Sequence, residues 1–520
     1  MEIIKEKIIM NKYPQEILTT ALIEGDIIVP DAKPDASEIA YYNPTGAITE
    51  AESSKGKISF KGRLSLSVIY LPKGEEKSPV CLRTDIPLSD FVSADLPEEC
   101  RILSGDIEVT DSVLTVVNDR KLRYRISISL NFMAVSQIEA EIVTDVKDLA
   151  SENKISRVLK TFSPVDLGEE TFKISEDLTL PQDSGEIGEI FDTCFMLNQT
   201  ETKLSKDKLS ISADLALKIL YEHEGAKEID VLEYEMPVNG AFEIKGSGEN
   251  PLCRLNLSVV SSSVTPTEDE NGEMRKLSCS FNIRASYIIL AEQTLNALTD
   301  AYIPDKETVS ESAELPLTAF VCRNKNQFPV KEVIELDPSA PPILKICHIL
   351  CRPVCDKTEL FKDKITAEGM VEAKILYTAK DDSRPVYCYE TLLPYRQSVE
   401  MKGLNPDANP VVDVDLKLEH LSFSTLDSRE VEIKPVLSLC LTAAENMREE
   451  VLTDLDFEDM SEEALQAYPS MTLYIVKEGD TLFNIAKSHN SPVSSLIKIN
   501  GLNSEASLSP FQKLLMLKNS

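Results

Sequence analysis

The residues best able to do chemistry lie together in the stretch ICHILCRPVC, where Cys347, Cys351 and Cys355 are four apart and His348 sits between the first two. Thiolates and an imidazole can bind zinc, normally as a set of four ligands. The C-x3-C-x3-C spacing fits no zinc finger, and no CxxC elsewhere completes the set. Laid without gaps on the segment 156 residues upstream, Cys347 and Cys351 fall over Phe191 and Phe195. Apolar partners at matching sites read these cysteines as core, where a free thiol behaves as a small hydrophobe. The other histidines, His223, His420 and His489, stand in separate regions with no partner motif, and HExxH, P-loop, GxGxxG and GxSxG patterns are missing. With 87 carboxylates, no single pair stands out as a general acid and base. The sequence therefore predicts a protein that is not an enzyme and needs neither cofactor nor metal.

Composition narrows the class further. A formal charge of −33 over 520 residues argues against nucleic acid and against an anionic membrane surface. Eleven scattered cysteines, an odd number, do not resemble a disulfide framework and point to a reducing compartment. The N-terminal MEIIKEKIIMNKYPQ has charged residues between its apolar pairs, so no secretory signal is expected. No apolar run reaches the roughly 18–20 residues that a spanning helix needs. The length predicts several domains.

The elements that must carry any function repeat three times. GKISFKGRLSLSVIY (56–70), DKLSISADLALKILY (207–221) and DKITAEGMVEAKILY (363–377) each end in a tyrosine: Tyr70, Tyr221 and Tyr377. A proline follows 16 or 17 positions later (Pro87, Pro237, Pro394), and a Thr-Asp pair closes each unit at Asp145, Asp300 and Asp454. Ile58, Phe60, Leu64, Leu66, Val68 and Tyr70 alternate with polar residues, the period of a half-buried strand. A second alternating segment follows in each unit at 122–132, 277–287 and 431–441. Two such strands per unit predict a mainly β chain of antiparallel sandwiches or open barrels. The segments 141–160 and 291–302 are expected to form short helices. The predicted units are 1–150, 165–305 and 310–455, then an acidic linker at 456–471 that gives reach to a last module at 472–518.

That module reads strand, turn, helix, loop, helix, loop, strand. Gly479 permits the first turn, and Asp480 or Thr481 can cap the helix that follows. Leu482, Ile485 and Ala486 recur at helical spacing, as do Leu496, Ile497 and Ile499.

The order LYIVKEGD, TLFNIAKSHN, VSSLIKINGLN, LSPFQKLLML resembles the LysM family, a βααβ fold. The three strand-and-tyrosine units resemble the SPOCS domain of spore-coat-associated proteins in endospore formers, and tandem SPOCS domains followed by a LysM are the arrangement of the SipL-like coat assembly family. The resemblance implies that an N-acetylglucosamine groove would lie between Gly479, Asp480, Thr481 and Leu482 on one side and Asn500, Gly501 and Leu502 on the other. Phe511 replaces the glycine of the family's usual proline-glycine-glutamine turn. It either packs inward or stands outward, where it would enlarge a surface suited to a protein. The family carries no catalytic residues. It implies coat assembly at the forespore surface, reached from the mother-cell cytoplasm, with the morphogenetic ATPase SpoIVA as partner of the LysM and other coat proteins as further partners. The rival expectation is a wall or cortex protein that binds peptidoglycan glycan.

Overall fold

The computed structural model describes residues 2–74, 78–97, 100–181, 184–225, 229–381, 383–502 and 508–517. The first unit runs β1 (Ile3–Asn11), β2 (Gln15–Ile28), β3 (Ala36–Ser54), β4 (Lys57–Pro72), β5 (Val80–Ser93), β6 (Cys100–Asn118) and β7 (Lys121–Val146). The second runs β8 (Lys154–Thr179), β9 (Ile187–Leu204), β10 (Lys208–His223), β11 (Ile229–Glu243), β12 (Glu249–Thr267) and β13 (Lys276–Ala301). In the third come β14 (Lys306–Pro329), β15 (Glu332–Glu335), β16 (Ile343–Phe361), β17 (Lys364–Ala379), β18 (Val386–Glu400), β19 (Val411–Thr425) and β20 (Glu430–Asp459). The single strand β8 does in one piece what β1 and β2, or β14 and β15, do in two.

Each unit is a sandwich, which decides between the two architectures the alternation allowed. One sheet is a meander, β3-β4-β5, β9-β10-β11 or β16-β17-β18; the other is built on the long strand β7, β13 or β20. The inner faces of the two repeated strands meet. Leu64, Leu66, Val68 and Tyr70 pack on Leu122, Tyr124, Ile126 and Ile128, and the other units match them with Leu217, Tyr221 and Phe281, and with Ile375, Tyr377 and Ile433. Tyr70, Tyr221 and Tyr377 are fully buried. The phenols of Tyr70 and Tyr377 donate 2.8 Å hydrogen bonds to the carbonyls of Pro34 and Pro341. A buried hydroxyl keeps its cost low in this way.

Of the segments 141–160 and 291–302, where short helices are expected, 141–146, 154–160 and 291–301 are strand. The long strands run on past their sandwiches as two-stranded ribbons: β7 with β1, β13 with the start of β8, and β20 with the start of β14. One face of each ribbon is apolar. Ile8, Ile142, Leu159, Ala297, Leu315 and Val451, drawn from all three ribbons, form one shared cluster. Cross-strand pairing and burial among distant segments override the helical period of those stretches. Between the first two units only a short turn, Ser151–Asn153, is helical.

A second shared core forms where the three meanders meet. Ile69, Leu220 and Leu376, each one residue before the repeat tyrosine, cluster there with Tyr41, Phe191 and Cys347. Polar links reinforce the docking. Arg254 of the second unit holds Asp413 of the third at 3.0 Å and Glu16 of the first at 3.1 Å. The guanidinium of Arg284 donates to the carbonyls of Ile48 and Thr49 at 2.9 and 2.7 Å. The three units are therefore one packed body.

After β20 the chain forms α1 (Glu462–Ala467), capped by Ser461, whose hydroxyl accepts from the Ala464 amide at 3.2 Å. The terminal module is β21 (Met471–Ile475), α2 (Leu482–Ser488), α3 (Val493–Asn500) and β22 (Lys513–Leu517), with β21 and β22 antiparallel. No helix among the described residues is long and apolar enough to cross a membrane.

Candidate functional site

The residues expected to line a ligand groove all lie among the described residues of the terminal module, and most of their polar atoms are committed to the fold. Gly479 takes φ 87°, the left-handed region that the turn after β21 requires. The Asp480 carboxylate closes that turn, accepting from the Lys477 amide and the Tyr474 hydroxyl, both at 2.8 Å. Those two bonds hold its carboxyl below the ordinary aspartate value, the Lys477 amide contributing most. The Thr481 hydroxyl caps α2, accepting from the Asn484 amide at 3.1 Å. Leu482 and Leu502 pack against the module's own core.

On the second loop, Asn500 works as a structural clamp. Its amide nitrogen donates to the carbonyls of Leu496 and Leu515 at 2.9 and 2.8 Å, and its oxygen accepts from the Leu515 amide at 2.8 Å. It thereby ties α3 to β22 and occupies backbone groups on that strand's outer edge. Gly501 ends α3 at φ 61°, and the Leu502 amide closes the cap on the Ile497 carbonyl at 3.0 Å. Asn503 and Lys518, the last residues expected in this loop and module, lie outside the described residues.

Phe511 stands outward, 84% exposed. It follows Pro510 in a turn closed by the Gln512 amide on the Ser509 carbonyl at 3.0 Å, and its φ is 70°. Proline then a positive φ is the type II pattern, where glycine is the comfortable residue. A side chain with a Cβ costs about 1–2 kcal/mol in this conformation. The Phe511 amide donates to the Val476 carbonyl at 2.8 Å, which sets the ring at the end of the ladder beside the Lys477–Asp480 turn. Along the outer face of that ladder Met471, Leu473 and Ile475 are also exposed.

The module is not free on a tether. Tyr302, just past β13, enters its core and meets Phe483 edge to face at 5.2 Å between ring centroids. Its hydroxyl donates to the Ser491 carbonyl at 2.9 Å. Asn490 exchanges two hydrogen bonds with Asp305, and Lys487 reaches both oxygens of Asp300 at 2.7 Å. The acidic stretch at 456–471 thus leads into a docked domain, on which Met471, Leu473, Ile475 and Phe511 stay exposed. Nothing in the local sequence marks this contact, because Tyr302 and Ser491 are 189 residues apart.

The Cys347 cluster separates in space. Cys347 joins the core between the meanders, Cys351 packs inside the third sandwich and Cys355 lies against a third apolar cluster. Among the described residues no group of three His, Cys, Asp or Glu side chains is arranged to hold a metal.

Comparison with known families fits this architecture. The family described as SipL, SPOCS domain matches residues 186–266 and 342–426, which are β9–β12 and β16–β19, and the LysM domain family matches 474–516. No curated protein and no solved structure matches the chain. These matches point to a sporulation-related protein, since the SPOCS and LysM domains that the chain resembles there are binding domains. Its order of domains makes it SipL-like.

Proposed function

We propose that this protein assembles the spore coat at the forespore surface by protein–protein binding, with its LysM domain recruiting the morphogenetic ATPase SpoIVA. The observation that carries the reading is Phe511, an outward aromatic held at a backbone angle that favours glycine. Strain of that kind persists where the surroundings and a function hold it in place. An exposed ring at the end of a ladder whose outer face carries exposed Met471, Leu473 and Ile475 suits the apolar centre of a protein interface better than it suits a sugar hydroxyl. The groove loops 479–482 and 500–502 adjoin this surface and belong to the same contact. Charge favours the module as the contact point too, since 471–520 carries five lysines against three acidic residues on a chain of net charge −33.

The second reading is glycan binding, supported by the LysM match itself. It would make this a peptidoglycan-binding wall or cortex protein. Fluorescence of a tagged chain in sporulating cells separates the two. A ring at the forespore surface, on the mother-cell side, is expected for coat assembly; signal at the vegetative wall or septum would remove that reading.

A further inference from the structure

Tyr41, Asp192 and His348 occupy one and the same position of the repeat. Each pairs across its ladder with the residue before the repeat tyrosine: Tyr41 with Ile69, Asp192 with Leu220, His348 with Leu376. Each also follows an extra residue in its strand, at Ala40, Phe191 and Cys347, where the register shifts by one. Such a bulge re-aims the side chains beside it. Here it brings three different polar residues to the place where the meanders of the three units meet.

Their partners differ sharply. Asp192 is buried and well supplied, accepting from the Tyr41 hydroxyl at 3.0 Å, from Asn43 at 3.1 Å and from the Thr193 amide at 2.9 Å, with the Cys194 thiol at 3.5 Å. His348 is also buried, and among the described residues neither of its ring nitrogens has a hydrogen-bond partner. It borders a cavity of about 10 Å³ walled also by Tyr41, Asp192, Cys194 and Lys218. That volume admits about one water molecule.

The charged groups on the neighbouring strands offer an imidazolium little. Asp192 on β9 is already engaged by its donors. Lys218 on β10 is itself a cation, paired with Glu233 of β11 at 2.7 Å. Asp230, also on β11, is held by Lys345 at 2.6 Å, with His223 at 3.5 Å. From β3, β9 and β18 come Tyr41, Cys194 and Cys388, whose hydroxyl and thiols burial keeps protonated.

We propose that this junction is a proton-responsive latch: His348 must be neutral for the three units to stay docked, and its protonation releases them. Burial, with the Lys218 charge adding to it, pushes the imidazole down to about 3, against about 6.5 for an exposed histidine. A group whose folded value is depressed in this direction favours docking fully above the exposed value and opposes it as pH falls below. Between pH 7 and pH 5 the docked-to-open ratio should drop about 25-fold from this residue alone.

The test is small-angle scattering and limited proteolysis of the full chain from pH 7.5 to pH 5, for wild type and His348→Gln. Wild type should expand and become cleavable between units below about pH 6, and the glutamine variant should stay compact through the same range. Equal expansion of both would overturn the proposal. Histidine ring NMR of the wild-type chain gives an answer even if the variant misfolds. With four histidines, variants of His223, His420 and His489 assign the fourth signal. That signal should remain neutral while the chain is compact; a midpoint near 6.5 in the compact chain would contradict the latch.

Discussion

The Tyr302 hydroxyl and the Ser491 carbonyl, 2.9 Å apart, join the end of the second sandwich to the LysM domain. This bond, with the Tyr302–Phe483 ring contact, sets the orientation of the terminal module. Tyr302→Ala should cost roughly 3 kcal/mol of docking, the scale of deleting a buried aromatic ring. Hydrogen exchange should then rise in 487–493 and around 300–305, and protease should cut between 460 and 470. A variant as protected as wild type would place the docking energy elsewhere.

The strain at Phe511 gives a prediction with two opposite signs. Phe511→Gly should stabilise the module by about 1 kcal/mol, because glycine tolerates the positive φ. The same change should weaken partner binding by removing the exposed ring. Thermal unfolding and pull-down on one variant read both effects. Loss of stability together with unchanged binding would mean that the ring is structural.

The repeat tyrosines should separate burial from hydrogen bonding. Tyr377→Phe loses the bond to the Pro341 carbonyl and should cost about 1 kcal/mol. Tyr377→Asp sets an unpaired carboxylate in the core and should cost several kcal/mol. Chemical denaturation of both, compared with Tyr70→Phe and Tyr70→Asp, checks that the repeats are energetically equivalent. Since the units share buried cores, damage to one should loosen its neighbours as well.

These tyrosines show how much was legible in the sequence. The period of two in 56–70, 207–221 and 363–377 reflects one buried face, so the strands and their inward residues could be read directly. The LysM turns were legible for the same reason, since glycine, aspartate and threonine act on their own neighbours there. Contacts between units left a fainter trace. Val68-Ile69-Tyr70-Leu71 breaks the alternation with four apolar residues in a row, all of them buried. That break marks a strand end covered on both faces. Tyr302, Asp192 and His348 left no such trace, because their partners are fixed by how whole sandwiches dock. The ribbon strands at 141–146 and 291–301 carry a local helical pattern, and the partners that make them strands belong to other parts of the chain.

Thiol chemistry should report the same packing. Burial raises the Cys81, Cys253, Cys279 and Cys347 thiols to about 11 and Cys351 and Cys388 to about 12, and holds Cys194 well above the ordinary value. At pH 8 these seven are protonated and so unreactive. A thiol-reactive dye on the native chain should therefore label at most four of the eleven cysteines quickly, and all eleven in denaturant. Rapid labelling of Cys347 or Cys351 in native protein would show the cores to be open.

The central claim is that the LysM domain recruits a protein. Co-purification with SpoIVA from sporulating cells, comparing the full chain with one lacking 472–520, tests it most directly. Truncation should abolish capture of the ATPase, while the three sandwiches keep their unfolding transition and the full chain fails to pull down on purified cortex or chitin. A truncated chain that still holds the ATPase, beside a full chain that binds cortex tightly, would contradict the account and make the module a glycan-binding domain.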